Sequence, residues 1–286
     1  MSPLALAAAL AADGACLAIE RGDEGTPVIA ARVNGSEPLS FILDTGSSGT
    51  TIDPATAARL ALPRNAATET AQGMGGGVTV RYHQVAAFDA GPLSLRNVAL
   101  PSIEAPALAS HRIVGLAGTD LFGDRLTRWM PGSGCVTIAP GGSRPAGRGW
   151  RRVEVKWIQP WKIMLPIRIG QADGWALLDT GAQYTTLNPE FARVAGIDPA
   201  RLRPAGSIAG IDGRELPLSS ATLADIRVGT WRWTSAPVRV GALPVFGRLA
   251  MAGDRLAILG MDWLTTRGFA VDYATKTVWQ QQGQVQ

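Results

Sequence analysis

Phe41-Ile-Leu-Asp44-Thr45-Gly46-Ser47-Ser-Gly-Thr-Thr-Ile-Asp53-Pro54 and Ala176-Leu-Leu-Asp179-Thr180-Gly181-Ala182-Gln-Tyr-Thr-Thr-Leu-Asn188-Pro189 align without a gap. The two aspartates stand 135 residues apart, nearly half of a 286-residue chain. In each copy an apolar run reads as a buried strand, and glycine permits a sharp turn after the aspartate. Asp53 and Asn188 then stand as helix N-caps, with Pro54 and Pro189 at the first helical position. A chance tripeptide would not carry matching cap chemistry at the same offset, so the pattern marks a duplicated structural unit.

The repeat extends outward from these stretches. Residues 15–20, 27–33 and 38–43 read as strands, with Asn34-Gly35 as a turn signal. A glycine-rich turn, Gln72-Gly73-Met74-Gly75-Gly76-Gly77, follows the first aspartate. Ala209-Gly210-Ile211-Asp212-Gly213 follows the second at a similar distance. Strands are expected at 78–85, 85–88 and 93–100, echoed at 214–218, 223–228 and 231–238. Leu116-Ala117-Gly118 and Ile258-Leu259-Gly260 then each lead into a short helix, with Asp120 over Asp262 read as caps or surface charges. Closing strands are expected at 134–138 and 277–280. The stretch 140–150 is rich in Pro and Gly, a linker signature. The domain reading is therefore an N-terminal half at 16–139, a linker at 140–150, a C-terminal half at 151–280 and a polar tail at 281–286. The fold class is mainly β, with two similar lobes around a shared cleft.

A carboxylate at the end of a buried strand needs compensation, because an isolated buried charge costs several kcal/mol. If two such turns meet across a pseudo-twofold axis, their carboxylates share one proton. One then acts as general base toward a water. The other polarises a carbonyl and later protonates the leaving amine.

Hydrophobic-hydrophobic-Asp-Thr-Gly-[Ser/Ala] stands twice in this chain, at 42–47 and 177–182, each with a later apolar-apolar-Gly. In this the chain resembles the aspartic peptidases of the pepsin and retropepsin type over about residues 27–280. Each half is close in size to a retropepsin subunit. The resemblance implies a bilobal acid-protease fold of two β-barrel-like lobes and an aspartic endopeptidase acting on extended peptides, of the single-chain kind familiar among bacteria. It implies Asp44 and Asp179 as the catalytic dyad, with Thr45, Gly46, Ser47, Thr180, Gly181 and Ala182 supporting the two turns. Gly73, Met74, Gly75 and Gly76, with Gly210, Ile211, Asp212 and Gly213, would be flaps over the substrate. No cofactor is implied, and both halves in one chain point to a monomer. The pepsin-type flap tyrosine is absent from 72–77; Tyr82 stands farther along, either as a substitute or as a plain strand residue. The Ser47 hydroxyl is expected to donate to Asp44, which Ala182 cannot do for Asp179. Asp44 is then the more readily ionised member.

Other chemistries find less support. A hydrophobic content of 46% against 17% charged residues provides for a sizeable core. No apolar run is long enough to span a membrane. The net charge of +4 comes from scattered basic residues, whereas a nucleic-acid face would need a denser stripe with interleaved aromatics. Two cysteines and two histidines show no metal-ligand spacing. His83 and His111 have no nucleophile elbow nearby, and the glycine run lacks the Gly-Lys-Ser/Thr of a phosphate loop. Cys16 and Cys135 are either one disulfide within the first half or two separate thiols. Residues 1–15 read as a secretory signal lacking its basic start or as a short N-terminal helix. Periplasmic or secreted placement is expected, with the cytoplasm as the alternative. Two rival functions remain at this stage: a non-catalytic peptide-binding module, and a processing protease inert on generic substrates.

Overall fold

The computed structural model describes residues 14–73, 76–104, 110–158, 161–209 and 215–282. Strands dominate it. The first half contains β1 (Ala15–Ala18), β2 (Glu20–Arg21), β3 (Pro27–Val33), β4 (Leu39–Leu43), β5 (Arg64–Gly73), β6 (Gly76–Ala90), β7 (Leu93–Ser102), β8 (Ile113–Ala117), β9 (Leu126–Trp129) and β10 (Cys135–Ala139). The second contains β11 (Trp150–Val153), β12 (Lys156–Ile158), β13 (Lys162–Ile169), β14 (Ala172–Leu178), β15 (Thr186–Leu187), β16 (Arg203–Ala209), β17 (Glu215–Val228), β18 (Trp231–Val240), β19 (Leu256–Leu259), β20 (Phe269–Asp272) and β21 (Thr277–Gln281). Four short helices are α1 (Pro54–Arg59), α2 (Pro189–Val194), α3 (Val245–Leu249) and α4 (Met261–Leu264).

In the second half the strands run β13-β14-β19-β15-β18-β17, and β17 returns to β13, closing a six-stranded barrel. The first half repeats most of that ring. β4 pairs β8 in parallel, as β14 pairs β19, and β3 pairs β6, as β13 pairs β17. Where the second half has β15, the first has a single bridge from Ile52 to Ser102. Thr51 and Asp53 donate their amides to Leu116 and Val114 on the other side of it. The first lobe is therefore a half-barrel.

The halves are joined by a third sheet, ordered β1-β10-β9-β20-β21-β11. Its central seam pairs β9 of one half with β20 of the other, Trp129 opposite Phe269. Those two rings stack at 5.4 Å, and Phe122 stacks on Tyr273 at 5.1 Å. One hydrophobic cluster runs through both halves and this seam. Such ring pairs add about 0.5–1.5 kcal/mol each beyond the area they bury. The lobes are thus packed as one body at the base of the cleft.

Local chemistry explains the helix entries. Asp53 accepts from the Thr56 amide and Asn188 from the Phe191 amide, both at 2.9 Å. Two pairs of expected strands are each continuous in the structure, as β6 and β17. The intervening Ser219 and Ser220 of β17 are half-buried and remain in register with Arg239 and Val240. Polar residues there do not end the strand. Between β10 and β11 the chain has no regular element, and its Gly142 amide donates to the buried Asp272 carboxylate.

Cys16 and Cys135 are joined as a disulfide. Their strands pair antiparallel, with Cys16 opposite Thr137 and Cys135 opposite Ala18. The bridge pins the first strand of the shared sheet to its neighbour.

Candidate active site

Asp44 and Asp179 follow directly on β4 and β14. The parallel neighbours extend the pairing by one residue, because the Asp44 amide donates to Ala117 and the Asp179 amide to Leu259. The chain then turns back. Gly46 and Ser47 donate their amides to Asp44 Oδ1 at 2.7 and 3.1 Å. Gly181 and Ala182 donate theirs to Asp179 Oδ1 at 3.0 and 3.1 Å. Both aspartates are buried, at 9% and 7% exposure.

The two turns meet. A Cβ on Gly46 would lie 2.5 Å from the Asp179 carboxyl carbon, and one on Gly181 would lie 2.4 Å from that of Asp44. Each glycine is required because the opposite carboxylate occupies the space of its missing side chain. The threonines lock this contact. Thr45 Oγ1 accepts from the Thr180 amide at 3.0 Å and donates to the Leu178 carbonyl at 2.8 Å. Thr180 Oγ1 accepts from the Thr45 amide at 3.0 Å and donates to the Leu43 carbonyl at 2.6 Å.

Burial raises the Asp44 carboxyl above its ordinary pKa. A hydrogen bond from Asp179, the nearby Lys162 charge and the Gly46 and Ser47 amides oppose that rise. Asp179 is raised well above its ordinary value, first by burial and then by the Asp44 charge and its own donation to Asp44. Burial thus raises both carboxyls, Asp179 the more, and the pair titrates jointly.

The expected cause of that inequality is not the one found. Ser47 Oγ donates to the Gly49 carbonyl at 2.8 Å and not to Asp44. The backbone amide of Ser47 serves Asp44 as that of Ala182 serves Asp179, so the hydroxyl does not distinguish the two turns. What differs between the halves is Lys162, whose ammonium donates to the Gly46 carbonyl. Burial holds this lysine below its ordinary pKa. The charges of Asp44 and Asp179 pull it back up, and Arg248 adds to the lowering.

Asp120 and Asp262 are braces and not surface charges. Asp120 accepts from the Thr50 amide and hydroxyl at 2.9 and 2.8 Å. Asp262 Oδ1 accepts from the same two groups of Thr185, both at 2.8 Å. Each threonine hydroxyl also takes the amide of Gly118 or Gly260. A Cβ on Gly118 would strike the Gly49 backbone at 2.5 Å, and one on Gly260 that of Tyr184 at 2.6 Å. The apolar-apolar-Gly element thus lies directly against the loop that follows each aspartate. Burial lifts Asp262 to about 6.

Gly73 stands opposite Gly76 in the β5–β6 pairing. Met74, Gly75, Gly210, Ile211, Asp212 and Gly213 lie outside the described residues, as do 1–13 and 283–286. Tyr82 is a residue of β6 opposite Pro101. His83 is buried against the Leu62 carbonyl, and His111 pairs with Glu20. Among the described residues no cluster of three or more His, Cys, Asp or Glu could hold a metal ion. No described helix is long and apolar enough to cross a membrane.

The structure brings together Asp44, Asp179 and the glycines and threonines singled out in the sequence, and it adds Lys162, which sequence reasoning missed. The chain has three lysines among 27 basic residues, and one of them opens the strand that corresponds to β3. That was the available signal. A search of curated proteins finds no match to this chain. A family model described as aspartyl protease matches it twice, over residues 29–121 and 165–263, once around each aspartate. With both halves covered, the chain belongs to the aspartyl protease family.

Proposed function

We propose that the chain is an aspartic endopeptidase whose catalytic groups are Asp44 and Asp179. The observation that carries this reading is the meeting of two buried carboxylates, each held by two backbone amides and each backed by the other half's glycine. In that setting Asp44 takes a proton from a water held between the carboxylates. Asp179 gives its proton to the scissile carbonyl oxygen as the water oxygen adds to the carbon. The proton on Asp44 then passes to the leaving amine as the C–N bond breaks, and one hydroxyl of the intermediate returns its proton to Asp179 as the carboxylic acid forms. A binding module would need the cleft but not a shared proton, so the intact dyad favours catalysis.

The substrate is an extended peptide laid against the β5–β6 and β16–β17 hairpins. An apolar cluster that includes Ala182, Met164, Leu218 and Phe246, with Ile208 and Leu216 of the second hairpin packed on it, favours bulky apolar residues beside the scissile bond. The disulfide supports a periplasmic or secreted setting. Each chain contains both aspartates, which supports action as a monomer. Cleavage-site profiling of a denatured proteome is the test. Wild type should cut between apolar residues, and Asp44→Asn and Asp179→Asn should each leave no cuts. Equal cutting by a variant would refute the dyad.

A further inference from the structure

Lys162 opens β13, on the strand that corresponds to β3 in the first half. By strand pairing the residue at its seat there is Thr26, since Val28 faces Ile42 as Met164 faces Leu177; it is neutral, and its hydroxyl donates to the Asp23 carbonyl. The two halves are otherwise matched at the dyad, with equivalent amides, threonines and glycines. The lysine is therefore a charged group that breaks the symmetry of the two turns.

Its placement is specific. The ammonium donates to the carbonyl of Gly46, whose own amide donates to Asp44 Oδ1 at 2.7 Å. Gly46 also faces the Asp179 carboxyl. The lysine thus touches the turn that holds one carboxylate and stands beside the other. The charged groups facing it are Asp44 and Asp179 from the two turns and Arg248 from α3. On the adjacent strand β12, Lys156 turns away, with its ammonium on the Ala252 carbonyl and over the Trp175 ring.

A dyad that works as a base and an acid must carry one negative charge in a site that disfavours charge. A fixed cation nearer one carboxylate lowers the cost of that state and selects which oxygen pair bears it. We propose that Lys162 is a positioning residue of the dyad: its ammonium, seated on the Gly46 carbonyl, makes Asp44 the anionic partner and sets the pH range over which the pair is singly protonated. This rests on the peptidase reading for its kinetic consequence, though not for its electrostatic one.

Two readouts separate those parts. The first is the pH dependence of kcat/KM on an apolar fluorogenic peptide for wild type, Lys162→Met and Lys162→Arg. Loss of the cation should move the acid limb up by about one pH unit, a roughly tenfold loss of rate on the acid side. Arginine should restore the wild-type limb. The second is 13C titration of the aspartate carboxyls, assigned with Asp44→Asn and Asp179→Asn, which needs no turnover. There the first ionisation of the pair should move up in the Met variant by the same amount. Should the Met variant not fold, Lys162→Gln keeps a donor for Gly46 without the charge and should shift both readouts likewise. An unmoved limb and titration in the neutral variants, or equal shifts in Arg and Met, would overturn the proposal. A shifted titration in a protein without peptidase activity would support it and strike only the peptidase reading.

Discussion

Replacing Thr180 with valine tests whether the two halves hold the dyad by their crossed threonines. Valine keeps the β-branch and nearly the volume while replacing the hydroxyl with a methyl. Two hydrogen bonds disappear, the 2.6 Å bond to the Leu43 carbonyl and the 3.0 Å bond from the Thr45 amide. Thr45 is 1% exposed, so water does not replace the lost acceptor. A buried unpartnered donor costs about 1–3 kcal/mol, and the second lost bond adds about 1 kcal/mol. The expected destabilisation is about 2–4 kcal/mol, a fall in Tm of roughly 3–7 °C for a protein of this size. A scanning-calorimetry melt reads this directly, and peptide hydrolysis on the same preparations should show kcat falling with little change in KM. Thr45→Val should cost a similar amount, and the double variant less than the two together, because both changes open the same contact. A Thr180→Val protein melting within 1 °C of wild type, or strictly additive losses, would refute the crossed-threonine argument.

Three further outcomes follow from the same geometry. Gly46→Ala places a Cβ against the Asp179 carboxyl and should lower kcat/KM at least about 100-fold, whereas Ser47→Ala, which loses only a bond to Gly49, should leave the pH–rate profile in place; a shift of the acid limb in Ser47→Ala would restore the hydroxyl as the cause of the dyad's inequality. The raised pKa of Asp262, about 6 against an ordinary 3.8, means that the folded state holds this proton more tightly than the unfolded. Its contribution is therefore fully present below about pH 4 and lost as pH rises through about 6. Asp262→Asn keeps an acceptor for Thr185, so the Tm advantage of wild type over this variant should shrink between those pH values, and an advantage that grew would contradict the sign. Removing both cysteines, as Cys16→Ser with Cys135→Ser, should cost about 2–4 kcal/mol; reductant should lower the Tm of wild type by a like amount and leave the variant unchanged, and a reductant-insensitive wild type would count against the bridge.

What could be read in the sequence was whatever short-range chemistry repeats. The apolar run before each aspartate, the glycine after it and the Asp-Pro or Asn-Pro helix entry are local signals, and the structure uses each of them. Strands β5 and β16 gave no such signal. Arg64–Gly73 is mostly polar or small, and Arg203–Ala209 includes Pro204 and Gly206 and has no fully buried residue from 203 to 208. The strands of the shared sheet were partly hidden for another reason. β9 and β20 are four residues each, too short for a period-two pattern, and their pairing joins residues about half a chain apart. Asp120 and Asp262 were visible as a repeat, but their role was not. An aspartate at the start of a short helix looks like a cap, and only the fold brings Thr50 and Thr185 to it.

Lys162 was invisible in principle to any search for repeats, because it is where the repeat fails. That failure has a physical logic. With an ammonium at both seats, two cations would face one pair of carboxylates and favour the doubly ionised state, leaving no acid to protonate the substrate. With a neutral threonine at both, burial alone would act on each carboxylate, the proton would have no preferred home and the charged state would be the more costly. One lysine and one threonine give the intermediate case, a single negative charge with a preferred location. Two identical subunits about a true twofold axis must carry the same residue at both seats. A duplicated chain can let the seats at 26 and 162 diverge while the Asp-Thr-Gly turns stay alike, so a bias in the dyad's charge can be carried outside the motif that performs the chemistry.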